Sequence, residues 1–77
     1  MTRTIKIALL NHEKFAQEMK TFGLTQEQIA EHLNISDRYI RKLKTKDRFI
    51  SAQLLYRIHI LFDKPMEYFL KIIEEES

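Results

Sequence analysis

Gln26-Glu27-Gln28-Ile29-Ala30-Glu31-His32-Leu33-Asn34-Ile35-Ser36-Asp37-Arg38-Tyr39-Ile40-Arg41-Lys42-Leu43 decides the fold. Its apolar residues are Ile29, Leu33, Ile35, Ile40 and Leu43, spaced for two short helices rather than one. Asn34 tolerates left-handed backbone angles, so the first of the two stops there. Ser36 then supplies an N-cap for the second. Helices joined by so short a turn cross steeply, and the point of contact needs a small residue, which Ala30 provides. Thr25 precedes the stretch, and with Gln28 three positions on it forms a capping box that starts the first of these helices.

Outward from this centre, the pattern stays helical. Asn11 is an N-cap candidate, Phe15, Met19 and Phe22 make an i, i+4, i+7 stripe, and Gly23 suits the left-handed residue after a last turn. The basic helix that follows Ser36 runs to about Lys44. Ser51 caps a further helix carrying Leu54, Leu55, Ile58, Leu61 and Phe62. Pro65 fits the first turn of a fifth helix whose inner stripe is Met66, Phe69, Leu70 and Ile73. Tyr68 and Ile72 lie off that stripe and call for a second cover. Phe49 and Ile50 are expected to plug the core beneath the loop. At the start, Ile5, Ile7 and Leu9 alternate with Thr4, Lys6 and Ala8, so residues 4–9 predict a short strand or extended arm, the rival being an early start of the first helix. With no second strand evident in the chain, its partner edge is expected on another copy. The expected architecture is all-α: five helices over 1–77 as one domain, with an arm or strand at 1–10, the paired helices at 25–45 and an acidic tail at 74–77.

Composition narrows the functions. Seventy-seven residues make 9.3 kDa, too little for a catalytic and a binding domain together. One Gly and one Pro argue against a turn-rich β fold, and the absence of Cys removes disulfides and thiolate chemistry. His12, His32 and His59 share no metal-ligand spacing, and no cofactor is implied. No glycine-rich loop and no Ser–His pair at motif spacing point to an enzyme, so none is expected. No apolar run approaches a membrane span and the N-terminus does not read as a signal peptide, which predicts a cytoplasmic protein with no membrane partner.

The net charge of +2 is unevenly spread. Between Ser36 and Arg48 lie Arg38, Arg41, Lys42, Lys44, Lys46 and Arg48 against Asp37 and Asp47, six basic minus two acidic, or +4. The rest of the chain has seven basic and nine acidic residues, or −2. Such a patch is either a solvated face or an electrostatic footprint for phosphate. The helix that carries it is the one whose inward residues are only Ile40 and Leu43, so its polar face is free to enter a major groove.

The whole pattern resembles the helix-turn-helix of the Cro and repressor-type regulators of phages and bacteria. The resemblance runs from "GLTQEQIAEHLNIS" at 23–36 through "RYIRKL" and the basic loop to "LFDKPMEYFL" at 61–70, roughly residues 12 to 73. It departs from the family at the turn, where Asn34 replaces the common Gly. Met19 and Lys44 stand where many members carry an Arg–Glu ion pair, and losing both partners together strands no charge.

The resemblance implies a λ-repressor-like fold and a sequence-specific DNA-binding transcription regulator of phage or bacterial origin. Asp37, Arg38 and Lys42 would sit where the family reads base edges, with Asp37 alternatively orienting Arg38 or Arg41. Gln26, Ser36, Tyr39, Arg41, Lys44, Lys46 and Arg48 would hold phosphates, with Tyr39 alternatively packing on the preceding helix. About five phosphate contacts per subunit predict a steep salt dependence. One recognition helix reads too few base pairs for selectivity, so a homodimer on double-stranded DNA is expected, its contact supplied by Ile5, Ile7 and Leu9 or by Tyr68 and Ile72. The alternative is a protein-binding module, such as a phage antirepressor or repressor modulator docking on another regulator; a carboxylate at Asp37 suits phosphates poorly and points that way.

Overall fold

The computed structural model describes the backbone of residues 4–76 and the side chains of residues 6–74. Residues 1–3 of the expected arm, Ser77 of the acidic tail and the side chain of Ile5 lie outside the described residues. The order is strand β1 (Thr4–Leu10), helices α1 (His12–Phe22), α2 (Gln26–Leu33), α3 (Asp37–Thr45) and α4 (Ala52–Phe62), a 3-10 turn at Met66–Phe69, and strand β2 (Leu70–Glu76).

Local chemistry sets the helix ends. Asn11 Oδ1 accepts from the amides of Glu13 and Lys14 at 3.1 and 3.3 Å. Ser36 and Ser51 hydroxyls accept from the amides three residues on, each at 3.1 Å. Thr25 and Gln28 close a reciprocal capping box at 3.1 and 2.9 Å. Three helices stop at left-handed residues: Gly23 with φ of 66°, Asn34 with 56° and Asp63 with 53°. Each turn redirects the chain so that the apolar stripes converge. Phe15, Ile29, Leu33, Ile40, Leu43, Ile58, Phe62 and Phe69 are fully buried in one cluster. Phe62 is its aromatic hub, with ring centroids 6.0 Å from Phe15, 5.4 Å from Phe22 and 5.8 Å from Phe69.

The expected fifth helix is absent from its place. Among the described residues, four helices and a two-stranded antiparallel sheet replace the five-helix scheme. After Pro65 a single 3-10 turn buries Phe69, and the chain then extends as β2 along β1, with Ile7 opposite Ile73 and Lys6 opposite Glu74. A short apolar run fits either period on its own. Here the adjacent β-branched Ile72 and Ile73 meet a strand of equal length, and a ladder satisfies more backbone groups than two helical turns would. The expectation that β1 lacks a partner in this chain is overturned by the same pairing. Asn11 N–H bonds the Phe69 carbonyl at 2.7 Å, which fixes the ribbon to the helices at its base. Phe49 does not plug the core; it is 69% exposed, and only Ile50 packs inward, half-buried.

Candidate nucleic-acid interface

α3 is held by Ile40 and Leu43, both fully buried, and by half-buried Tyr39, which packs on the core. The remaining side chains of the helix turn away. Arg38, Arg41, Lys42 and Lys44 are exposed along it, and Lys46 is exposed just beyond its end. Arg38, Lys42 and Lys46 make no side-chain hydrogen bond or ion pair among the described residues. Free cations on a rigid helix keep their full capacity for an anionic partner, with nothing internal to give up.

The other polar residues of this face are linked. Gln26, at the start of α2, donates from Nε2 to Asp37 Oδ1 at 2.9 Å, and its Oε1 accepts from Lys44 Nζ at 3.4 Å. Asp37 Oδ2 pairs with Arg41 one turn on at 3.3 Å. The chain Lys44–Gln26–Asp37–Arg41 thus ties the N-terminus of α2 to both ends of α3 and sets the crossing of the two helices. Both oxygens of Asp37 are engaged, one by Gln26 and one by Arg41. The Ser36 hydroxyl is used as the helix cap. Arg48 is half-buried: its Nε donates to the Lys42 carbonyl at 3.2 Å, satisfying the open end of α3. Met19 and Lys44 line one surface recess with Gln26 and Leu24.

The residues expected to join two copies divide. Ile7 and Leu9 are half-buried within the ribbon and Ile72 is 54% exposed. Tyr68 is half-buried, with Lys14 Nζ 4.6 Å and Lys64 Nζ 5.4 Å from its ring centre, and so is occupied within the chain.

Sequence reasoning missed one anchor beside the interface. Asp47, between the loop cations Lys46 and Arg48, accepts from His12 N–H at 3.0 Å and lies 2.6 Å from His12 Nδ1. Its other oxygen pairs with Lys71 Nζ at 3.1 Å. The loop after α3 is therefore bolted to α1 and to β2 at once. The signal was an acid set between Lys46 and Arg48 in a basic run, which read only as a charge to subtract. The His12 backbone and ring contacts, aided by Lys71 and opposed by burial, hold the Asp47 carboxyl at about 2 instead of 3.8. A depressed folded value stabilises above the unfolded pKa and fades as pH falls through the folded one. Asp47→Asn should thus lie about 1–2 kcal/mol below the wild type at pH 5. Urea denaturation should show that gap closing between pH 4 and pH 2; a gap constant with pH would deny the carboxylate this role. Arg57 was also missed: it donates from Nη1 to the Leu33 carbonyl at 3.3 Å and so closes the end of α2.

Among the described residues no three His, Cys, Asp or Glu side chains converge as a metal site, and no helix is long and apolar enough to cross a membrane. A family model described as helix-turn-helix matches residues 15–69, from the first buried residue of α1 to the end of the 3-10 turn. No curated protein matches the chain.

Proposed function

The chain belongs to the Cro and repressor-type helix-turn-helix family of DNA-binding regulators, and from that membership we propose that it is a sequence-specific transcription regulator of phage or bacterial origin that acts in the cytoplasm as a homodimer. The observation that carries the reading is the pair Arg38 and Lys42, exposed on α3 without a partner among the described residues. They read base edges in the major groove, where guanine O6 and N7 accept from such cations. Lys46 and the backbone of the first turn of α2 hold phosphates, with Arg41, Lys44 and the free nitrogens of Arg48 beside them. Asp37 and Gln26 position the helix pair, and Tyr39 is packing at its edge. A single recognition helix spans a few base pairs, so two copies read a site with half-sites about 34 Å apart.

Selection from a pool of random DNA duplexes, followed by titration of the winner at several salt concentrations, tests this. The selected duplex should bind at least about 10³-fold more tightly than competitor DNA. Its log K should fall with log salt at a slope of about −4 to −5 per subunit. Equal, weak binding to every duplex would overturn the reading in favour of a module that docks on another regulator. That second reading rests on the small, dimer-ready surface and the N-terminal arm, with the Asp37 carboxylate a lesser support; Asp37 is paired with Gln26 and Arg41 within the chain.

A further inference from the structure

The ribbon is the part of the molecule that the helices do not cover. Its main contacts are between its own two strands, and the molecule measures 49 Å along one axis against 23 and 20 Å on the others. Two strands alone are marginal in water, and an open edge is a template for another strand. Leu10 shows that this edge takes a further backbone partner. Its amide bonds the Arg48 carbonyl at 2.8 Å, and the two residues form an isolated antiparallel bridge. Leu10 therefore turns its backbone groups away from β2, and by the two-residue alternation of a strand Ala8 and Lys6 do the same. Pairing on this side begins at Leu10 and stops there. Lys6 and Ala8 are exposed, and their outward backbone groups have no partner among the described residues.

We propose that a second copy of this chain continues that pairing, β1 against β1, antiparallel about a two-fold axis at Ile7. The register places Lys6 opposite the second copy's Ala8 and Ala8 opposite its Lys6, with all four residues directing backbone groups across the gap. A sheet of four strands results, β2–β1–β1–β2. Across its centre runs a row of four isoleucines, Ile73 and Ile7 from each copy. Lys6 is compatible with this edge because its charge is matched within the ribbon by Glu74, 3.7 Å away, and because the residue facing it is the small Ala8.

Charge and symmetry disfavour the other edges. Pairing β2 with β2 about Ile73, the counterpart of Ile7, sets Ile72 beside Glu74, an apolar–carboxylate pair that opposes it. Pairing β1 with β2 leaves free edges at both ends and grows without closing. The β1 pairing closes after two copies. It deepens the DNA-binding reading, which needs two recognition helices, but its test needs no DNA.

Sedimentation equilibrium of the full chain should give twice the 9.3 kDa chain mass. Ala8→Pro removes an outward amide without taking a donor from the β1–β2 ladder, and should return the mass to that of one chain with an unchanged helical circular-dichroism spectrum. Ile7→Cys gives the cysteine-free chain one thiol on the axis, at a non-hydrogen-bonded pair where Cα atoms about 4.5 Å apart permit a disulfide. Mild oxidation should link this variant into covalent dimers, while Ile72→Cys on β2 should link poorly. A wild type of single-chain mass at every concentration, or linking by Ile72→Cys in preference to Ile7→Cys, would overturn the proposal. Either result would leave DNA binding standing, and failure to bind DNA would leave the dimer standing.

Discussion

Phe62→Ala is expected to lower stability by about 3–5 kcal/mol, the range for removing an aromatic ring from a closed core. Phe62 is fully buried at the end of α4 and meets Phe15 edge-on, Phe22 at a steep tilt and Phe69 at 42°. These rings come from α1, α4 and the 3-10 turn, so the cavity would open where three parts of the chain meet. None can close it without shifting an element. A chain this size holds about 4–12 kcal/mol in all, so the variant would sit near its unfolding threshold at room temperature. Urea denaturation followed by helical circular dichroism measures the effect. Ile60→Ala, on the same helix but 59% exposed, should stay within about 0.5 kcal/mol of the wild type. A Phe62→Ala protein less than about 1 kcal/mol weaker than the wild type would mean that the aromatic cluster is not the keystone of the core.

What the sequence disclosed and what it hid follow from the range of the interactions. Asn11, Thr25, Ser36 and Ser51 cap helices through amides two or three residues away, so a short window contains both partners. Asn34 and Gly23 mark turns through their own backbone preferences. The paired helices and the basic face were legible for this reason. β2 was not: Leu70–Glu76 is a strand because Thr4–Leu10 lies beside it, and no local window spans that pairing. The His12–Asp47–Lys71 anchor joins three segments far apart in the chain. Asp37 was legible as a residue of the helix pair, but its attachment to Gln26 depended on the crossing of α2 and α3. Phe49 misled because hydrophobicity predicts burial only on average, and this residue follows Arg48, whose backbone is already committed to the edge of β1.

Arg38→Ala should weaken binding to the selected duplex by about 1–3 kcal/mol and relax the preference at one base position. The residue is exposed and has no internal ion pair among the described residues, so the substitution breaks nothing that holds the protein together and folding stability should change by less than about 0.5 kcal/mol. That makes the affinity change a direct reading of what Arg38 touches. Lys46→Ala should behave differently: a phosphate contact carries no sequence information, so affinity should fall about equally for all duplexes and the salt slope should flatten by about 1. Arg41→Ala should fall between the two, because its guanidinium is shared with Asp37, 3.3 Å away. Selection repeated with each variant, with titrations at matched salt, separates the three. Loss at one base position on Arg38→Ala, against uniform loss on Lys46→Ala, would divide α3 and its loop into a part that specifies and a part that holds. An Arg38→Ala protein with wild-type affinity and wild-type preference would move the reading of bases to Lys42, one turn further along the same face.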